Sequence, residues 1–408
     1  MMDFSGNWST SFGAMQLEQH GATVSGTYRY GGTDGQVDGR VRGSLLRLRY
    51  SEGAQSGSAE FRLLRHGKFL GSYIPDGQKT RYVWEGHRGW DGLWETDFGR
   101  LRMIQERDRV LGFYTGAAHA ELRGRASGGR LAFRYRETNA SGEGRFTLAG
   151  DGAAFSGEWR PAEQSDFRPW NGYRAPAASG ITWLVMLETH WQRSLAEPEY
   201  AFGHMLRELF ARLPQVRVRH RFFHDAASLA HRCHELRYLA EPVILMIASH
   251  GRAEGLSVNG NVVKTSLVID NLRHVENLKL LHFSSCLVGL DRERALARKP
   301  FPISGYTTRV DWSASALLEF AYLDLLLNRG MPPAQAAAAL PKIMPYAGAR
   351  AARIALSRCR VPLLSGTVMA AHSAITWSRS DPRKKAALSP PSLASVDWCE
   401  HNAAVMAG

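Results

Sequence analysis

Two reactive side chains, a histidine and a cysteine, each follow an apolar run in the second half of the chain. His250 comes after the run VILMIA at 243–248, and Cys286 comes after the run LKLLHF at 278–283. A thiol with an ordinary pKa of about 8.5 is mostly protonated at neutral pH, and a nearby imidazole can accept its proton. The thiolate can then attack a carbonyl carbon, and the imidazolium can protonate the leaving amine. The pair therefore indicates nucleophilic catalysis.

The backbone beside these side chains is suited to the negative charge that such an attack produces. Gly251 follows His250 directly and has no side chain to block a close approach. Its N–H and the N–H of Cys286 are the expected oxyanion donors, each worth about 3 kcal/mol. Taken singly, a cysteine at a strand end is more often an apolar filler and a His-Gly pair more often a turn, so the hypothesis depends on their joint occurrence.

A mostly parallel sheet is the element that must bring the two side chains together. Apolar runs typical of strands buried on both faces alternate here with helical spacing. We predict strands at 183–187, 216–223, 243–247, 278–283, 303–306 and 362–369, a hairpin at 256–263, helices at 199–213, 226–239, 313–327 and 333–356, and a short helix or turn at 268–275. Sites in open α/β sheets form beyond the carboxyl ends of strands, so His250 and Cys286 should meet at one edge.

Three segments of this half carry a resemblance to a known family. They are IASHG at 247–251, LHFSSCLVG at 281–289, and GYTTRVDWSA at 305–314 with FAY at 320–322. Over residues 180–373 they resemble the caspase-like cysteine peptidases, and the CHAT branch most closely. The resemblance implies a three-layer α/β fold with His250 as the base, Cys286 as the nucleophile and Gly251 as an oxyanion donor.

Two further residues are candidates for substrate binding. By the same resemblance, Asp311 matches a position that lines the pocket of basic-specific members, which implies cleavage after Arg or Lys. Asp is also a preferred helix N-cap, and a helix is predicted from about Ser313, so a capping role is equally open. Metacaspase-type members carry Asp two residues before the cysteine, where this chain has Ser284. That departure disfavours a basic-specific pocket, and Arg309 can instead favour an acidic side chain.

The first half of the chain is an internal duplication. Eight residues, Trp8, Thr10, Phe12, Gly13, Gln19, Val24, Gly26 and Tyr28, recur at a constant offset (94 − 8 = 86) as Trp94, Thr96, Phe98, Gly99, Gln105, Val110, Gly112 and Tyr114. Alternating apolar residues between Gly-rich breaks are typical of antiparallel strands joined by hairpins. We count roughly four strands in each copy, and the copies cover about 4–75 and 90–160.

The expected architecture of residues 1–160 is one antiparallel β-barrel of about eight strands, which resembles the avidin and lipocalin type of barrel. Two separate four-stranded sheets packed face to face are the alternative. Four repeated aromatic residues either line a ligand-binding interior or fill the core: Trp8, Trp94, Tyr28 and Tyr114. We predict a linker at 161–179, the peptidase-like domain at 180–378 and a loosely ordered tail at 379–408.

Charge and cysteine content narrow the range of partners and compartments. The 408 residues carry a net charge of +13, but the arginines are scattered along strand-like segments, so we expect no nucleic-acid partner. The four cysteines are also scattered, without a C-x-x-C pair, which indicates reduced thiols and a cytoplasmic protein. We see no signal peptide, no run long enough to span a membrane, no metal-ligand spacing and no need for a cofactor.

Together these features predict a cysteine endopeptidase that acts on a protein substrate. The β-barrel is expected to regulate or target it, through a small ligand or a partner protein. The family resemblance implies a bacterial setting such as antiviral defence. The alternative is a catalytically inactive caspase-like scaffold or a ligand-binding sensor.

Overall fold

A computed structural model describes residues 3–79, 81–116, 120–175, 180–192, 196–197, 200–288, 301–343 and 354–356. The chain divides into two compact units, Met1–Gly180 with Arg237–Glu241 and Ile181–Leu236 with Pro242–Gly408. The first unit holds two β-barrels, and the second holds a mostly parallel sheet with helices. In the described part of the chain, no helix is long and apolar enough to cross a membrane.

The first copy of the repeat closes into a barrel by itself. Consecutive strands pair antiparallel, and β1 also pairs with β8, so no edge is left open. The strands are β1 (Gly6–Thr10), β2 (Gly13–His20), β3 (Thr23–Tyr30), β4 (Thr33–Arg42), β5 (Leu45–Glu52), β6 (Gln55–Arg65), β7 (Lys68–Pro75) and β8 (Tyr82–Arg88). Alternate residues face inward, and Trp8, Phe61, Phe69 and Trp84 fill the centre.

The second copy forms another closed barrel. Its strands are β9 (Gly92–Thr96), β10 (Gly99–Glu106), β11 (Arg109–Tyr114), β12 (Glu121–Ser127), β13 (Arg130–Arg136), β14 (Ser141–Leu148), β15 (Ala154–Pro161), β16 (Arg168–Pro169) and β17 (Gly172–Arg174). The ring closes because β17 pairs with both β15 and β9. Part of the predicted linker at 161–179 therefore belongs to the barrel, and Trp170 within it is only 2 % exposed.

An antiparallel β-barrel fold is confirmed, but the prediction of one barrel of about eight strands shared by both copies is wrong, since each copy supplies eight strands to its own ring. The missed strands contain glycines that interrupt the apolar alternation. A Cβ at Gly35 in β4 would lie 2.3 Å from the ring of Tyr28, and one at Gly86 in β8 would lie 2.3 Å from the ring of Phe69. These glycines let an aromatic ring of a neighbouring strand lie flat over the backbone, so they belong inside strands rather than between them.

The four repeated aromatic residues lie in the packed barrel cores. Trp8 and Tyr28 are buried in the first barrel, and Trp94 and Tyr114 are buried in the second. Each tyrosine hydroxyl donates to a glutamate, Tyr28 to Glu52 at 2.9 Å and Tyr114 to Glu137 at 2.6 Å. Burial, followed by the hydrogen bond to the carboxylate, raises the pKa of both tyrosines above the usual 10. Core filling is therefore what these side chains do in the structure.

One arginine closes the end of each barrel at equivalent positions (174 − 88 = 86). The guanidinium of Arg88 lies 4.5 Å from the centre of the Trp8 ring, and that of Arg174 lies 4.3 Å from the Trp94 ring. Lost hydration lowers the pKa of each arginine to about 10. Each remains charged at neutral pH, because a cation over an indole face that also donates to carbonyls is well compensated.

The second unit is built on a six-stranded sheet in the order β19-β18-β20-β24-β25-β26. Five strands are parallel: β18 (Thr182–Glu188), β19 (Val216–Phe222), β20 (Val243–Ala248), β24 (Leu278–Ser284) and β25 (Ile303–Tyr306). The sequence-based strands at 183–187, 216–223, 243–247, 278–283 and 303–306 are thus confirmed. Adjacent residues on the central strands, such as Leu184 and Val185, are both buried, so the sheet is covered on both faces.

A separate three-stranded sheet follows β20 directly, formed by β21 (His250–Arg252), β22 (Gly255–Val258) and β23 (Asn261–Val263). The predicted hairpin at 256–263 is confirmed, with Asn259 and Gly260 at positive φ in its two-residue turn.

The helices of this unit are α1 (Phe202–Phe210), α2 (Ala226–Glu235), α3 (Thr265–Asn271), α4 (Trp312–Leu327) and α5 (Pro333–Ile343). The predicted helix at 333–356 is too long. Its end is instead β26 (Ile354–Leu356), which pairs antiparallel with β25. The helix propensity of the Ala-rich run is overridden there by the unpaired edge of the sheet. The predicted strand at 362–369 and the tail at 379–408 lie outside the described residues.

The closing arginine gives a stability prediction. Arg88 donates to the carbonyls of His66 (2.6 Å), Asp3 (2.7 Å) and Ser5. Arg88→Ala leaves these carbonyls without their charged donor and should cost about 2–4 kcal/mol of unfolding free energy. Calorimetry of the full chain measures the effect.

Arg47→Ala is the matched control, because Arg47 is exposed and its ion pair with Glu60, at 2.8 Å, lies on the surface. We expect it to cost less than about 1 kcal/mol. Equal effects of the two substitutions would contradict a closing role for Arg88.

Candidate active site

The register of β20 and β24 places the predicted histidine and cysteine at one end of the sheet. Ala248, the last residue of β20, pairs with Ser284, the last residue of β24. Two residues further along each segment come His250 and Cys286, and both line the same cleft. The structure thus places the two residues beyond adjacent strand ends, around one cleft.

Gly251 is pressed against the backbone of the cysteine segment. A Cβ at this position would lie 2.0 Å from the carbonyl oxygen of Cys286 and 2.7 Å from its nitrogen. Such distances are far inside van der Waals contact, so only glycine fits here. The backbones of the two predicted oxyanion donors therefore lie side by side.

The cysteine sits in a strained turn. Its residue is 7 % exposed and is not part of a disulfide. The N–H of Val288 donates to the carbonyl of Cys286 at 2.8 Å, and Leu287 between them has φ +62°. A γ-turn with positive φ at a leucine is rare and costs energy, which the surrounding structure must supply. Strain of this kind concentrates at functional sites.

The sulfur of Cys286 contacts the backbone of Val310. The Val310 N–H donates to Sγ at 3.5 Å, and Sγ–H can donate to the Val310 carbonyl at 3.7 Å. The N–H contact stabilises a thiolate at this position, whereas the carbonyl contact stabilises the neutral thiol. The segment between β25 and α4 therefore contacts the Cys286 sulfur as well as lining the cleft.

The histidine is braced by an aromatic side chain that the sequence did not reveal. Trp191 meets His250 edge-on, with ring centres 5.1 Å apart and planes at 83°. The indole N–H of Trp191 donates to the buried carboxylate of Glu188, the last residue of β18. In the sequence, a glutamate at the end of the apolar run WLVML indicates this arrangement, because a carboxylate buried there needs several hydrogen-bond donors.

Glu188 is also bound to the start of α1. It accepts hydrogen bonds from the N–H groups of Phe202 at 2.7 Å and Gly203 at 2.9 Å. Ala201, at the N-cap position, has no side chain that could do this. His220 Nε2 lies 2.8 Å from the same carboxylate. Glu188 thus joins β18, α1, β19 and Trp191 at the end of the sheet that carries the cleft.

A second polar group lies buried beneath the cleft. His282 Nδ1 is 2.8 Å from Ser304 Oγ, and His282 Nε2 is 3.2 Å from Glu319 Oε1. The order of these groups is that of a serine nucleophile, a base and an acid, yet all three are buried, so no substrate can reach the serine. Burial, and then the charge of Glu319, raise the pKa of nearby Tyr306 well above 10. Tyr306 therefore presents a neutral ring to the cleft.

The two candidate substrate-binding residues have different surroundings. Ser284 lines the cleft. Asp311 is the N-cap of α4, where its carboxylate accepts from the N–H of Ala314 at 2.8 Å, and it is not among the residues that line the cleft. The capping interpretation of Asp311 therefore has a direct contact behind it.

Comparison with known proteins adds little to this geometry. No protein-family model matches the chain, and no curated protein sequence matches it. Among solved structures, it is similar to two mutants of the vaccine antigen Transferrin Binding Protein B from Haemophilus parasuis, Trp-176-Ala and the double mutant Tyr-167-Ala and Trp-176-Ala. The TM-scores are 0.15 and 0.16 at 10% identity, with 39% and 40% of this chain covered. The chain spans 60% of the length of each of those structures.

A third similarity is to the CS-b5R domains of human Ncb5or in the NAD+ form. It has a TM-score of 0.12 at 10% identity and covers 69% of this chain and 94% of that one. TM-scores this low bear on neither the fold nor the function of this chain. The caspase-like resemblance therefore rests on the residues themselves.

The close approach of Gly251 gives a prediction about the site. Gly251→Ala must push the Cys286 backbone away, so we expect the rate of Cys286 alkylation by iodoacetamide to fall at least about tenfold. Mass spectrometry of labelled peptides measures it, and a thermal melt verifies folding. The control is Gly150→Ala, because a Cβ there meets nothing within 4 Å. Unchanged alkylation in Gly251→Ala would contradict the close approach.

Asp311 can be tested by separating its charge from its capping oxygen. Asp311→Ala should cost about 1 kcal/mol of unfolding free energy, whereas Asp311→Asn should cost much less, because asparagine also caps. Denaturant unfolding of both variants measures the difference. If Asp311→Asn instead altered which peptides are cleaved, the carboxylate would have to act in the substrate pocket.

Proposed function

We propose that the second unit is a caspase-like cysteine endopeptidase with a His250–Cys286 dyad. The observation that carries the proposal is the Ala248–Ser284 register, which places both side chains in one cleft. The strained turn at Leu287 and the Gly251 contact support it, since neither is needed for a cysteine that only fills space.

The chemistry uses groups already in place. His250 accepts the Sγ proton, and the thiolate forms a bond to the substrate carbonyl carbon. The carbonyl oxygen becomes an oxyanion, for which the N–H groups of Gly251 and Cys286 are the proposed donors. The C–N bond then breaks as His250 returns the proton to the leaving amine. Water finally hydrolyses the thioester, which releases a carboxylic acid and restores the thiol.

The barrels keep their proposed role as a regulatory or targeting module, but the expected binding surface is no longer the barrel interior. Aromatic side chains pack the centre of each ring, so a ligand or partner protein would bind an outer surface or a barrel mouth. Exposed aromatic residues such as Tyr30, Tyr82 and Tyr173 lie on these surfaces. A bacterial defence setting remains an expectation of the family resemblance.

The dyad can be tested by comparing two buried cysteines. Cys286→Ala and His250→Ala should each lower cleavage of a fluorogenic peptide library at least about 1000-fold, because the nucleophile and its base are lost. Cys233→Ala is the control, since Cys233 is equally a buried thiol but lies on α2. Cleavage that survives in Cys286→Ala would rule out the proposed nucleophile.

A further inference from the structure

The lining of the cleft bears on which peptides the enzyme can accept. We propose that the substrate residue before the scissile bond, P1, has a small uncharged side chain and that Ser284 contacts it. This inference rests on the proposed peptidase function.

Among the described residues that line the cleft, none outside the dyad carries a charge that could pair with a charged P1 side chain. Besides the dyad, the cleft is lined by four serines, four aromatic residues and Val310, with no Asp, Glu, Lys or Arg among the described residues that line it. Burying an unpaired charge costs several kcal/mol, so P1 Arg, Lys, Asp or Glu is disfavoured.

The carboxylates on bordering elements are already committed. Asp311 caps α4, Glu188 binds the start of α1 together with Trp191, and Glu319 binds His282. Redirecting Glu188 or Glu319 toward a basic P1 residue would leave buried donors unsatisfied, which costs about 1–3 kcal/mol for each group, and redirecting Asp311 would remove the cap of α4 at about 1 kcal/mol. A basic P1 residue could therefore pair with one of these carboxylates only at the expense of an existing hydrogen bond.

The volume of the cleft also favours a small P1 side chain. The cleft has a volume of about 40 Å³. On that measure a single water needs roughly 10–15 Å³, so the cleft holds roughly three waters, a space suited to Ala, Ser, Thr or Val. Its walls are formed by four aromatic side chains, Trp191, Phe202, Tyr306 and Trp312. Rings of this size in a packed site do not move aside readily for a larger P1 side chain.

The hydrogen bonds of the lining serines indicate which hydroxyl can contact the substrate. Ser249 donates to the His250 carbonyl at 2.9 Å and lies 3.3 Å from the Ser285 hydroxyl, while Ser315 donates to the Trp312 carbonyl at 2.9 Å. Among these four lining serines, and within the described part of the chain, Ser284 is the one whose hydroxyl makes no hydrogen bond. Its hydroxyl is thus available to a P1 hydroxyl or to the substrate backbone.

The experiment compares peptides and inhibitors that differ only at P1. We expect kcat/KM for P1 Ala, Ser, Thr or Val to exceed that for Arg, Lys, Asp, Glu or Trp by about 100-fold or more. Peptidyl chloromethyl ketones with the same P1 series should label Cys286 in the same order, measured by intact mass. Preference for a charged or bulky P1 residue, or equal labelling by all ketones, would overturn the inference.

A designed change of preference tests Ser284 itself. Ser284→Asp places a carboxylate in the cleft and should raise the ratio of Lys to Ala cleavage or labelling at least about tenfold. Ser313→Asp is the control, because Ser313 is exposed on α4 and does not line the cleft. An unchanged ratio in Ser284→Asp, with iodoacetamide labelling of Cys286 intact, removes Ser284 from the P1 site.

The two proposals fail in different ways. If the parent and Cys286→Ala cleave the library equally, the peptidase proposal fails. If cleavage or ketone labelling depends on Cys286 but follows charge rather than small size, only the P1 inference fails. Labelling that follows small size without any turnover supports the P1 pocket and overturns catalysis.

Discussion

The parallel register between β20 and β24 is the constraint on which the candidate site depends. The pairing of Ala248 with Ser284 fixes where both strands stop, and the residues that continue from them carry the dyad. A shift by one residue would turn every buried side chain of β20 toward the opposite face of the sheet. Because that strand is buried on both faces, the packing on each side resists such a shift. The fit of Gly251 against the Cys286 backbone then fixes the two segments beyond the strands.

The barrels show how duplication copies a physical device rather than only a pattern. Arg174 donates to the carbonyls of Gly152, Asp91 and Gly89, which correspond at the 86-residue offset to the partners of Arg88 (152 − 66 = 86). All three partners are different residue types in the two copies. The device survives because it uses backbone carbonyls, which every residue has. Each copy can therefore close its own ring.

The sequence predicted the α/β half well because its strands are buried on both faces, and runs such as VILMIA have no competing interpretation. It also predicted that His250 and Cys286 follow neighbouring strand ends, since strand ends follow from strand order. It undercounted the barrel strands, because glycines that seat a ring, like Gly35 under Tyr28, look like turns. The glutamate at the end of the run WLVML marked a carboxylate that needs donors, but its partners, Trp191 and the N-terminus of α1, could not be predicted, since they come from outside that strand. Non-local contacts of this kind leave no local pattern.

The acidic residues around the cleft bear on why the proposed catalysis would need only a dyad. Each of three carboxylates, those of Glu188, Asp311 and Glu319, binds the N-terminus of a helix or a buried histidine. These carboxylates therefore already have structural partners. A serine nucleophile needs a strongly oriented base, often with a carboxylate behind it, because its hydroxyl is a poor acid. A cysteine thiol is far more acidic, and the Val310 N–H, 3.5 Å from Sγ, can donate to a thiolate there. The base then needs an orienting contact more than an added charge, and the edge of Trp191 against His250 supplies one.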